Sequence, residues 1–134
     1  MIVRRHEDLL AWQLGMLVHQ RVVTFLAGGR ARNDRCFCTE LLEASEAISA
    51  NIAEGFDRYR LPQFRYFLQV AKGSLAETST RVRQGYVRRY FTEKELNELL
   101  VLCRRTRAVL GPLITSVEAQ IERGGFNIRF MPAV

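Results

Sequence analysis

Three sets of residues in this chain are of types that do chemistry. The first is Asn51, Glu54 and Gly55 in Ser49-Ala50-Asn51-Ile52-Ala53-Glu54-Gly55-Phe56, where an amide and a carboxylate interrupt an apolar helical pattern. A glutamate beside an amide is a candidate general base. The same two side chains lie one turn apart and flank Ile48, Ile52 and Phe56, which also suits bonding to a neighbouring helix. A related group, Gly73, Ser74 and Glu77 in Ala71-Lys72-Gly73-Ser74-Leu75-Ala76-Glu77, has side chains small enough for two helices to come close. Helical spacing accounts for all six without a substrate. They are read as a structural motif, with Ser74, Lys72 or Arg81 as partners for Asn51 and Glu54, and with Glu54–Arg58 and Glu77–Arg81 as i,i+4 ion pairs. An enzyme built on Asn51, Glu54 and Glu77 would instead need a carboxylate that is perturbed and open to solvent.

The second set is the thiols and imidazoles. Cys36 and Cys38 offer two ligands one residue apart, and Cys103 falls on an apolar helical stripe, so the three do not make a zinc pattern. An odd number of cysteines also argues against a disulfide framework. Neither His6 nor His19 follows a Glu by three positions, as a di-metal helical bundle requires. No Ser or Cys motif accompanies the histidines, and the glycine pairs Gly28-Gly29 and Gly124-Gly125 read as helix stops, not phosphate loops. The expectation is no catalytic residue, no cofactor and no metal: a protein that is not an enzyme.

Arginine is the third set. The formal charge is +6, and Lys72 and Lys94 are the only lysines. Arginine's planar fork binds phosphate through two nitrogens and stacks on bases, so this bias leans toward nucleic acid. Arg81, Arg83, Arg88 and Arg89 lie near the end of one expected helix, and Arg104, Arg105 and Arg107 lie in the first half of the next, with Tyr86 and Tyr90 among them. A hairpin turning at Phe91-Thr92 brings both groups to one end. Interleaved arginine and tyrosine is what a phosphate-binding, base-stacking surface needs. A solvated face with Glu95 and Glu98 as partners, or a subunit interface, accounts for the same pattern.

The elements that must position these residues are helical. Leu9, Trp12, Met16, His19, Val23 and Leu26 give the first stripe, ended by Gly28-Gly29. After an arginine-rich loop, a second helix starting near Phe37 or Thr39 carries Leu41, Ser45, Ile48, Ile52 and Phe56. Pro62 suits the first turn of a third, with Phe64, Phe67, Ala71, Leu75, Thr78, Val82 and Tyr86 as its stripe. Thr92-Glu93-Lys94-Glu95 is a capping box opening a fourth, which keeps its phase through Pro112 with a kink expected near Ala108 to Gly111. Short connections make an all-α, antiparallel up-down-up-down four-helix bundle over residues 1–123 the expected fold, with residues 124–134 a tail whose end frays. A polar N-terminus and the lack of an apolar run long enough to span a bilayer point to the cytoplasm and away from a membrane. Leu10, Val70 and Leu102 lie off the main stripes, an apolar surplus that hints at self-assembly.

The segments Glu7-Asp8-Leu9-Leu10-Ala11-Trp12-Gln13, Ser49 to Phe56, and Phe64 to Glu77 together resemble the four-helix-bundle family of 23S rRNA intervening-sequence proteins, which includes the accessory variability proteins of diversity-generating retroelements. The resemblance runs from Glu7 to about Leu102. It implies a cytoplasmic bacterial bundle that assembles as a homopentameric, barrel-like ring with a basic surface. In retroelement-associated members it implies binding to nucleic acid, RNA or DNA, and to a reverse transcriptase. Two features depart from the family's pattern. An acidic Cys38 to Ala44 replaces a Gln-x-x-Arg-Arg-type segment, and Gly28-Gly29-Arg30 replaces a hydrophobic-Pro turn. The resemblance therefore carries no nucleic-acid contacts through the second helix.

Overall fold

The computed structural model describes residues 3–128. A 3-10 turn at His6–Asp8 leads into α1 (Leu10–Leu26), followed by α2 (Arg35–Asp57), α3 (Leu61–Val87) and α4 (Glu93–Glu122). α1 packs on α2 and α4, and α3 packs on α2 and α4, while the backbones of the diagonal pairs stay apart. A helix as long as α2 extends about 34 Å, and residues 58–60 reach only about 10 Å, so α3 must run back along α2. The loop from 88 to 92 does the same for α3 and α4. The result is an antiparallel four-helix bundle.

The local signals explain the boundaries. Asp34 caps α2, its carboxylate accepting from the Phe37 N–H at 3.2 Å, so the helix starts at Arg35 and takes Cys36 and Cys38 into its first turn instead of leaving them in a loop. Pro62 stands in the first turn of α3. α4 runs unbroken through Pro112.

Three stripes face the core largely as spaced, except that on α3 Phe67 is only half-buried and Tyr86, expected on the core face, is exposed. Leu41, Ser45, Ile48, Ile52 and Phe56 are buried on α2, as are Phe64, Ala71, Leu75, Thr78 and Val82 on α3 and Leu99, Cys103, Thr106, Leu110, Leu113 and Val117 on α4. α1 differs. Its buried residues are Ala11, Leu14, Gly15, Val18 and Val22, one step round from the expected Trp12, Met16, His19 and Val23, and Val23 is exposed. α1 is apolar on almost every side, so periodicity alone does not select its inner face. Gly15 does: a Cβ there would lie 2.9 Å from the Ile48 side chain, so only glycine lets α1 press this closely on α2. Buried hydroxyls bond back to their own helices, Ser45 to the Leu42 carbonyl, Thr78 to that of Ser74 and Thr106 to that of Leu102, and the His19 ring meets Ser45 at 2.8 Å.

The tail corrects the expectation of a frayed end, as far as it is described. The Leu61 N–H donates to the Phe126 carbonyl and the Ile128 N–H to that of Tyr59, each at 2.9 Å, and a bridge joins Arg60 to Asn127. Ile128 is buried in the larger apolar cluster with Val3, Leu61 and Phe64. Residues 129–134 lie outside the described part. Leu102 is another correction: it is buried in the core, whereas Leu10 and Val70 are half-buried.

Candidate nucleic-acid interface

The α3–α4 hairpin is fixed from both sides of its turn. Thr92 and Glu95 form the capping box, with Thr92 Oγ1 accepting from the Glu95 N–H at 3.1 Å and Glu95 Oε1 from the Thr92 N–H at 2.8 Å. Burial pushes the Glu95 carboxyl up, but the Thr92 N–H, the Arg30 guanidinium and the Thr92 hydroxyl together outweigh it and leave the group below its ordinary pKa. α3 ends with the Arg89 N–H on the Tyr86 carbonyl and the Tyr90 N–H on the Gly85 carbonyl, the double bond of a Schellman terminus. The residue that must turn left-handed there is normally glycine; here it is Arg89, at φ 67°. Phe91 then folds over Gly85, where a Cβ would sit 2.5 Å from its ring.

Behind this turn, α3 and α4 enclose a groove of about 330 Å³. Its walls carry Lys72 and Arg83 from α3 and Arg104 and Arg107 from α4, over a floor of Leu75, Leu100 and Cys103. None of the four cations makes an ion pair or side-chain hydrogen bond among the described residues. Burial pushes the Cys103 thiol up to about 11, against the opposing pull of Arg104 and Arg83. It is a floor residue, not a nucleophile.

Four acids near the hairpin are engaged elsewhere. Glu95 binds Arg30 and Glu98 binds Arg21, both on the α1 side. On the α2 side, Arg81 meets Glu40 at 2.8 Å and Glu77 at 3.6 Å. Arg88 bonds Asp34 at 3.1 Å and lies over the Phe37 ring. Tyr90 donates to the same Asp34 carboxylate at 2.6 Å, and this bond, then the Phe37 N–H and Arg88, holds that carboxyl below its ordinary pKa.

The seven arginines singled out by sequence are thus divided. Arg83, Arg104 and Arg107 share the groove. Arg81 and Arg88 are paired to α2, Arg89 is exposed at the turn, and Arg105 faces the opposite side of α4 with Leu17 and Val101. Lys72 was missed as a member. The signal was present: Lys72, Ala76, Ser79 and Arg83 recur at i, i+4, i+7 and i+11, one line on α3 that faces α4.

The structural motif is also divided. Gly55 is at a close approach, since a Cβ would lie 2.6 Å from Phe67 Cβ. Asn51 and Glu54 do not reach α3 as expected. Asn51 donates to the Ala47 carbonyl at 2.7 Å and Glu54 pairs with Arg58 at 2.6 Å, both within α2. Gly73 is exposed with open space where a side chain would go, so it is not a helix contact. Ser74 is half-buried and Glu77 exposed. Asn51 and Glu54 lie outward of the α2 core face, so they join their own helix before they can span to another.

The 23S rRNA-intervening sequence protein family matches residues 7–111. The chain belongs to that family. The match contains every groove residue and ends just before Pro112, leaving the last turns of α4 and the docked tail outside it. A search of curated proteins finds no match. Among the described residues of this family member, no cluster of three or more His, Cys, Asp or Glu stands ready to hold a metal ion, and no helix is long and apolar enough to cross a membrane.

Proposed function

We propose that this family member is a non-enzymatic basic scaffold that assembles with copies of itself and binds structured RNA, alone or in an RNA–protein complex, chiefly through phosphates at the α3–α4 groove. The observation that carries this reading is the set of four cations, Lys72, Arg83, Arg104 and Arg107, converging without an acidic partner among the described residues. Paired arginines such as Arg81 already have their charge satisfied, so they have less to gain from phosphate. Unpaired cations on a concave surface raise the local concentration of a polyanion and speed its capture.

Binding of a labelled structured RNA, followed by fluorescence anisotropy at several salt concentrations, tests the reading. An Arg83→Ala, Arg104→Ala, Arg107→Ala variant should bind weakly, with its log K against log salt slope reduced by roughly 2 to 3, about 0.7 to 0.9 for each lost phosphate contact. Arg81→Ala, with native mass and melting checked in parallel, should change the slope little. Binding that is absent at low salt, or unaltered in the triple variant, would overturn the assignment.

A second reading, self-assembly without nucleic acid, draws on a different groove. Leu17, Val101 and Leu102 line a hollow of about 620 Å³ between α1 and α4, with Arg105 and the Arg21–Glu98 pair at its rim, and Val101 is 43% exposed. Such a face suits a copy of the same chain. Val101→Glu should lower the native mass if subunits meet there; unchanged mass would remove this face from any assembly.

A further inference from the structure

We propose that the α3–α4 groove seats an unpaired nucleobase, so that the preferred ligand is RNA with a single-stranded segment rather than a continuous duplex; this rests on the RNA-binding reading above. The groove has two chemistries at two depths. The four guanidinium and ammonium groups belong to exposed residues of its walls, while Leu75, Leu100 and Cys103 form an apolar floor, each under 7% exposed. Phosphate satisfies the walls and leaves the floor empty. A flat, mostly apolar ring on the same strand fills the floor while its flanking phosphates remain at the walls, and only an unpaired base is free to do that.

The geometry favours a strand laid along the helices. Lys72 and Arg83 are eleven residues apart on one line of α3, which places them about 16 Å apart along the axis. Tyr86 prolongs the same line, seven residues beyond Ser79, and is 41% exposed, so a second base leaving the groove meets an aromatic face. Helices in contact lie with axes about 8 to 10 Å apart, so the opening between them admits a ring edgewise but not a duplex, which can touch only the rim cations. The volume of about 330 Å³ is at the small end of ligand pockets, matched to one nucleotide and not to a long peptide.

The test compares a single-stranded 12-mer RNA with a blunt-ended, fully paired 12-base-pair RNA duplex at one salt concentration, using wild type, Ala76→Leu and Ser79→Leu. Both substitutions fill the groove from its α3 wall without removing a cation, and leucine keeps the helix. The wild type should prefer the single strand by roughly tenfold or more, the lower part of the range that stacking one or two bases supplies. A 2-aminopurine placed in that strand should change its emission on binding. Each leucine variant should lose the preference while keeping the affinity for the duplex and its salt slope. Equal binding of the two probes by the wild type would overturn the base seat while leaving phosphate binding intact, as would a preference retained in both filled variants. Failure of both probes to bind at low salt would overturn the RNA reading itself and the base seat with it.

Discussion

Ile128→Ala should destabilise the protein by about 2.5 kcal/mol, although this residue lies beyond the end of the last helix and outside the family match. Ile128 is 3% exposed and belongs to the larger apolar cluster. The substitution deletes three carbon atoms, about 0.8 kcal/mol each in transfer. A cavity term would raise this further, but the site lies at the edge of the bundle where neighbours and water can close in, so the low end of the observed range of about 2 to 5 kcal/mol applies. For a chain of 134 residues the unfolding entropy is on the order of 280 cal/mol/K, which converts the loss to a fall in Tm of about 9 °C. Thermal melting by circular dichroism measures it. Phe126→Ala is the control: that ring is 56% exposed and its main contact is the Arg60 guanidinium at 5.2 Å, worth only about 0.5 to 1 kcal/mol. An Ile128→Ala variant melting within about 2 °C of wild type would mean that residues 126–128 do not close the core, and the docking of the tail would have to be abandoned.

Arg89→Gly should stabilise the fold by roughly 0.5 to 1 kcal/mol, because glycine occupies the left-handed position after α3 without the steric cost that arginine bears; chemical denaturation should show a higher midpoint with the slope unchanged. The Asp34 carboxyl is held down by Tyr90, the Phe37 N–H and Arg88, so its contribution is present above its ordinary value of 3.8 and is lost as pH falls through the lower folded value. Tyr90→Phe should therefore be less stable than wild type near neutrality and converge on it as pH falls through the lowered folded value, measured by melting across pH. Toward a thiol-alkylating reagent at pH 8 the order should be Cys36, then Cys38, then Cys103, the last reacting only on unfolding, because burial pushes that thiol up to about 11; mass spectrometry of partly labelled protein reads the order directly.

Much of the bundle was legible because its signals are local. The Thr92 to Glu95 capping box, Pro62 and the 3-and-4 spacing on α2 and α4 each depend on a few neighbouring residues, and each appears where its chemistry places it. What escaped were choices made at a distance. α1 is apolar on several faces, and its inner one is selected by contact of Gly15 with Ile48. The tail is captured by backbone groups of Tyr59 and Leu61, which side-chain patterns do not announce. The arginine patch failed as a single unit for a similar reason. Proximity to one end of a hairpin does not say which way a residue faces around its helix, and Arg104 and Arg105, adjacent in sequence, open onto opposite grooves.

The distribution of acids explains why one basic groove stands out on a chain that is basic throughout. Asp34 and Glu40 on the α2 side draw Arg88 and Arg81, and Arg30 and Arg21 on the α1 side draw Glu95 and Glu98, so these four carboxylates are held away from the α3–α4 seam. Those pairs are partly exposed and each contributes little to stability. Their larger effect is on the field: they cancel charge at the two seams that flank the α3–α4 groove and leave its four cations uncancelled. Lys72 completes that groove as the one lysine among its arginines, a compact and strongly hydrated charge beside their planar forks.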